Sequence, residues 1–209
     1  MLAGKGISEV VVAFIKERQS TIAVAPARSS AFSAPSSRQT RYHSHMKPSV
    51  YIETSVISYL TARPSRDVIV LAHQEVTRGW WEQRSRYRLF VSRLVEEEIA
   101  RGDATAAAAR VQRIHGIAQL DLDENVQRLT QKLLDASALP PQALEDAIHV
   151  AVCAVHHIDY LVSWNCKHIA NAMRFGNIAR CCTAAGFTTP VICTPDLMLA
   201  NEDGEHHVE

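Results

Sequence analysis

Short apolar runs at 49–53, 88–91, 118–121, 159–163 and 190–193 alternate with longer helix-period segments at 55–61, 66–86, 93–101, 104–116, 123–137, 141–157 and 168–185. No other feature of the chain restricts its fold as much. Strands separated by helices are joined by crossovers, and the stable product is a parallel sheet covered on both faces. The expected architecture is a three-layer α/β/α sandwich with a mainly parallel central sheet of roughly five strands. With 209 residues, 47% of them hydrophobic, the chain can bury one substantial core, and a single domain over 46–199 is expected. Some boundaries have local causes. Asp103 and Asp123 suit helix N-caps, and Gly102 and Gly186 suit helix stops. Pro140-Pro141 can open a helix, because early helical positions need no N–H donor.

The first 45 residues differ from the rest. After Glu17 there is no acid until Glu53, and Ser, Ala, Arg and Pro dominate. Such a leader holds too little apolar material to order itself. It is expected to be disordered, or an upstream extension before a natural start at Met46-Lys47-Pro48, and a protein beginning at Met46 is expected to match the full chain in stability. Residues 200–209 are expected to be a disordered tail. The net charge of zero hides an asymmetry: residues 1–47 carry seven Lys/Arg against two Glu, and residues 48–209 fifteen Lys/Arg against twenty Asp/Glu. Nucleic-acid binders are usually basic, so charge alone does not point to RNA. Five cysteines, an odd number without scaffold spacing, fit a reducing cytoplasm. Cys166, His168, Cys181 and Cys182 lack the paired spacing of a zinc site. No apolar run is long enough to span a membrane.

Ligands of parallel α/β sheets bind beyond the carboxyl ends of the strands. Glu53 ends the first apolar run, and Asn165 follows Tyr160-Leu161-Val162-Ser163-Trp164. Asp146 opens the helical run that feeds the fourth strand, so it belongs to the same edge. Glu98 follows the second strand by one to two helical turns. Hard cations such as Mg²⁺ and Mn²⁺ take oxygen ligands, and this constellation suits metal-assisted phosphodiester cleavage. Each residue also has a plainer reading. Asp146 can be an acid favoured by the helix dipole, although Val150 and Cys153 place it on an apolar stripe where an unpartnered carboxylate is costly. Glu53 can be a surface acid, Glu98 one of three acids on a solvated face, and Asn165 a turn residue. His149, His156, His157 and His168 are tempting bases. A core position beside Asp146 is expected for His149, because metal-bound water needs no histidine.

The stretches Tyr51-Ile52-Glu53-Thr54-Ser55-Val56-Ile57, Ser92 to Gly102, Glu145-Asp146-Ala147-Ile148-His149-Val150-Ala151 and Leu161-Val162-Ser163-Trp164-Asn165 resemble the PIN-domain nucleases, most closely the VapC toxins of toxin–antitoxin pairs. The resemblance runs from about Met46 to about Leu199. Glu53 stands where the family usually has Asp, and Asn165 where it commonly has a fourth acid. The resemblance implies a cytoplasmic endoribonuclease that uses Mg²⁺ or Mn²⁺, a small antitoxin partner and a homodimer. It implies Glu53, Glu98, Asp146 and Asn165 as catalytic residues, with Glu53 and Asp146 holding the metal.

Between Arg78 and Arg93 aromatic and basic residues interleave. Arg84, Arg86 and Arg88 can grip phosphates while Trp80 and Trp81 stack on unpaired bases. The plainer reading is an amphipathic helix with tryptophans in the core. Two other functions fit the sequence: a PIN-fold protein impaired in cleavage that binds RNA or a partner, and a metal-dependent hydrolase of another phosphoester. The absence of a glycine-rich phosphate loop argues against a nucleotide-binding enzyme.

Overall fold

Ser49–Ile52 forms strand β1, and all of its residues are buried. A strand covered on both faces is apolar on both, which is why Val50-Tyr51-Ile52 shows no polar alternation. The remaining strands are β2 (Arg88–Ser92), β3 (Ala118–Leu120), β4 (Tyr160–Val162) and β5 (Val191–Cys193). The computed structural model describes residues 12–16 and 47–199. It places these strands in one sheet of order β3-β2-β1-β4-β5. Every pairing is parallel, with Tyr51 opposite Phe90 on one side and Leu161 on the other.

Helices α1 (Thr54–Thr61) and α2 (Val68–Glu82) carry the chain from β1 to β2, and α3 (Arg93–Ile99) and α4 (Ala104–Ile114) carry it on to β3. Helices α5 (Glu124–Asp135) and α6 (Leu144–Val155) bring it back past β1 to β4, and α7 (Ala172–Ala184) leads to β5. The steps run outward from β1 in opposite directions, so right-handed crossovers put the first four helices on one face and the last three on the other. The packing agrees: α1 lies against α2 and α4, while α5 lies against α6 and α7. The three-layer α/β/α sandwich with an all-parallel sheet is therefore the architecture. In α6 every residue from Ala147 to Ala154 is buried, as expected of a helix apolar all round.

Local chemistry explains the element ends. Asp103 accepts from Ala106 N–H, and Asp123 from Val126 N–H, both at 2.9 Å. Gly102 and Gly186 adopt φ of +89° and +85°, the left-handed region that glycine enters freely. Two boundaries differ from the sequence expectation. The 66–86 helix ends at Glu82 and tightens into a 3₁₀ turn over Gln83–Arg86. Pro140-Pro141 does not open α6. Ala143 N–H donates to Pro140 O at 2.8 Å, closing a turn with Pro141 at the position where a fixed φ helps most.

Residues 12–16 are helical, with Ile15 only 1% exposed and Phe14 packed against the core. This stretch has structure that the leader's composition did not suggest; the rest of residues 1–45, and residues 200–209, lie outside the described residues. No helix among the described residues is long and apolar enough to cross a membrane. Burial of Ile15 reverses the expectation for truncation. Ile15→Ala should destabilise the protein by about 2 kcal/mol. At roughly 2–4 °C per kcal/mol, its thermal midpoint should fall by about 4–8 °C in calorimetry. An unchanged midpoint would show that Ile15 adds nothing to the core.

Candidate metal centre

Chain direction reverses between β1 and β4: the segment after β1 goes to one helical layer, the segment after β4 to the other. A crevice opens beyond their carboxyl ends. Glu53 sits at its base. Its N–H donates to Val162 O at 3.1 Å, extending the β1–β4 ladder by one bond. Its backbone is extended (φ −81°, ψ 157°), as befits the N-cap of α1, and its carboxylate accepts from Ser55 N–H at 3.1 Å. The same carboxylate accepts from the Ser55 hydroxyl and, at 2.7 Å, from the Ser163 hydroxyl. It is 7% exposed.

Glu98 reaches the crevice from α3, where it accepts from the Thr54 hydroxyl and meets His149 Nε2 at 3.1 Å. Its neighbours point elsewhere: Glu96 bonds to Gln119, and Glu97 pairs with Arg93 at 3.2 Å. His149 follows Asp146 by three positions on α6, so both side chains reach the same end of that helix. The His149 ring is 1% exposed. Its Nδ1 lies 2.8 Å from the Tyr51 hydroxyl, which lies 2.7 Å from Ser92 Oγ. One ligand atom each from Glu53, Glu98 and His149 lies within 4.8 Å of the other two. Ligand atoms around a divalent ion stand about 2.0–2.5 Å from it, so the spacing and the donor types fit a metal ion.

Asp146 lies beside this group. It accepts from Asn165 Nδ2 at 2.8 Å and contacts His168 Nδ1 at 2.7 Å. Asn165 Oδ1 accepts from His168 N–H at 3.1 Å, and Asn165 N–H donates to Ser163 Oγ at 2.9 Å. One hydrogen-bonded line thus runs from Glu53 through Ser163 and Asn165 to Asp146 and His168.

Electrostatics couple Glu98 to His149. Burial pushes the Glu98 carboxyl up, but the bond and charge of His149, with help from Thr54 and Arg101, outweigh it and hold the pKa below the ordinary value. Burial likewise opposes charge on His149, but the bond and charge of Glu98, with the charges of Glu53 and Asp146, raise its pKa above the usual one. Burial keeps the Tyr51 phenol well above its ordinary value, so it stays protonated.

Glu53, Glu98, Asp146 and Asn165 all meet at the expected edge, but their grouping differs. The group that could hold a metal ion gathers Glu53 with Glu98 and His149, whereas Asp146 is engaged by Asn165 and His168. His149 is buried as expected, yet its ring faces the carboxylates. The Asp-x-x-His spacing was the one available signal for it. The other expected set separates. Trp80 and Trp81 are 0% and 7% exposed and present no free ring face for stacking, and Arg84 lies over the Trp81 ring. Arg88 pairs with Ser49, the first residue of β1, so it stands at the amino edge of the sheet. Four strand residues, roughly 13 Å, separate that edge from Glu53. Cys166, His168, Cys181 and Cys182 form no ligand group among the described residues.

Scans of protein-family models, curated proteins and solved structures find no match to this chain.

The coupled pair gives a pH signature in metal-free protein. A raised His149 pKa stabilises the fold fully below its unfolded value of 6.5, and the effect fades as pH rises through the folded value. A lowered Glu98 pKa stabilises above 4.5, and the effect fades as pH falls through the folded value. Denaturation after chelation should therefore show the stability gap between parent and His149→Gln widest from about pH 4.5 to 6.5. A gap that stays flat from acid to alkaline pH would show that the pair is not ionic.

Proposed function

We propose that the chain is a divalent-metal-dependent endoribonuclease. The observation that carries this reading is the convergence of Glu53, Glu98 and His149 in the crevice between β1 and β4, with Asp146 alongside. A divalent ion held there would supply an activated water and offset charge growing on a scissile phosphate. Glu53, Glu98 and His149 are the holding residues. An imidazole in the set favours Mn²⁺ over Mg²⁺, whose preferred partners are oxygens. Asp146, aimed by Asn165 and His168, accepts a proton from the attacking water. Asn165 braces Asp146 through its amide N–H while its Oδ1 accepts from the His168 N–H. RNA as substrate, a small antitoxin partner and a homodimer come from the resemblance to VapC toxins, which supports a role as the toxin of such a pair.

One observation favours a second reading, an RNA- or partner-binding protein impaired in cleavage. Both Glu53 oxygens already accept hydrogen bonds within the chain, so recruiting an ion has to displace some of them.

Labelled single-stranded RNA incubated with Mn²⁺ tests the assignment. Asp146→Asn should lower cleavage by roughly 100-fold or more with an unchanged circular-dichroism spectrum. Full activity in that variant would sink the role given to Asp146. Glu53→Asp should keep measurable metal-dependent cleavage and Glu53→Gln nearly none. If Glu53→Gln cleaves like the parent, Glu53 does not hold the ion; a parent that binds RNA without cleaving it hands over to the second reading. Cleavage of a small phosphodiester but not of RNA would reassign the substrate class.

A further inference from the structure

His149 is held at both ring nitrogens, Nε2 by Glu98 and Nδ1 by Tyr51, and a neutral imidazole has a proton on only one of them. An ionised carboxylate only accepts, so in the metal-free protein, once the ring is neutral, its proton sits on Nε2 and points at Glu98. Nδ1 is then an acceptor, and the Tyr51 hydroxyl must donate to it. If Nε2 instead offers its lone pair to an ion, the ring proton resides on Nδ1, and Tyr51 must accept. A buried group that could only donate, or only accept, would fail in one of the two states. An unpaired buried polar atom costs about 1–3 kcal/mol.

A phenol hydroxyl does both, provided that its own proton has somewhere to go when it turns. Ser92 supplies that place. Ser92 Oγ is 2.7 Å from the Tyr51 oxygen, is itself fully buried, and can donate or accept in the same way. Tyr51, at 0% exposure on the central strand, reaches no solvent that could substitute. A phenylalanine would fill the same buried space beside the His149 ring, so apolar packing alone does not call for the hydroxyl.

We propose that Tyr51 is a positioning residue of the centre: its hydroxyl, backed by Ser92, satisfies His149 in both ring tautomers and so lets Nε2 turn a lone pair toward Glu53 and Glu98. The inference rests on the metal reading above. From the neutral ring the count balances, since Nε2 gives up one proton and Nδ1 takes one up while the hydroxyl of Tyr51 turns from Nδ1 to Ser92; a charged ring releases one proton on ligation.

The test compares the full chain with Tyr51→Phe and Ser92→Ala. Mn²⁺ binding is followed by electron paramagnetic resonance of the free ion, and the His149 ring by long-range ¹⁵N–¹H correlation in metal-free and Zn²⁺-loaded protein with the ring neutral. The expected results are a proton on Nε2 without metal and on Nδ1 with Zn²⁺ in the parent. Mn²⁺ affinity should fall by roughly 10- to 100-fold in Tyr51→Phe, and by less in Ser92→Ala. A thermal midpoint that drops while affinity and tautomer stay as in the parent would mark Tyr51 as merely structural and overturn the proposal. If Tyr51→Phe fails to fold, Ser92→Ala decides, since it keeps the ring: an affinity equal to the parent's overturns the proposal. If the parent itself binds neither ion, the metal reading fails. A metal-free parent with its proton on Nδ1 would refute the role of Tyr51 separately.

Discussion

The parallel pairing of β1 with β4 is the constraint on which the site depends. These strands are neighbours in space but lie 110 residues apart along the chain, as the bond from Ser163 to Glu53 records. Because the chain leaves them toward opposite helical layers, their carboxyl ends form one shared edge between the layers. Glu53 and Ser163–Asn165 are the first residues past the ladder and occupy that edge. The helices then only have to deliver their ends. α6 runs back toward β4, so its first two turns arrive with Asp146 and His149, and α3 leaves β2 with Glu98 in its second turn. Any change that shifted β1 against β4 by one residue would move Tyr51 to the opposite face and dismantle the group at once.

Gathering carboxylates in a buried crevice is costly, and the sequence around them shows how that cost is met. Hydroxyls from Thr54, Ser55 and Ser163 surround Glu53 and Glu98 with donors, while His149 provides the nearby positive charge. Trp164 extends this collar outward. Its backbone N–H donates to Ser55 Oγ at 2.8 Å, its indole donates to Thr77 at 2.8 Å, and its ring stacks on His73 with centroids 4.0 Å apart. The loop that carries Asn165 is thereby tied to α1 and α2, on the other side of the sheet from α6.

Much of this was legible in the chain before its structure. Short apolar runs and period-3.6 patterns located the strands and helices because burial on both faces of a parallel sheet leaves a strong apolar signature, as at Val50–Ile52. The edge position of Glu53, Glu98, Asp146 and Asn165 followed from topology alone. The pairing among them did not. Tyr51, Ser92, Glu98 and His149 lie far apart in the chain, and no spacing rule links a strand tyrosine to a helix histidine on the far layer. Trp80 and Trp81 misled for a related reason: an Arg/Trp alternation reads the same whether the tryptophans face bases or the core, and only the third dimension separates the two. Asn165 reached the same edge as the acids, and its partners there, Asp146 and the His168 N–H, could not be read from its type alone.

The distance between Arg88 at the amino edge and the acids at the carboxyl edge has a consequence of its own. With a formal net charge of zero, the chain exerts little net pull on a distant ion. What remains is an orienting torque. Exposed Arg84, Arg86 and Arg88 stand at the edge opposite the acidic crevice, so positive and negative groups face opposite ends of the sheet and an external field turns the molecule rather than pulling it.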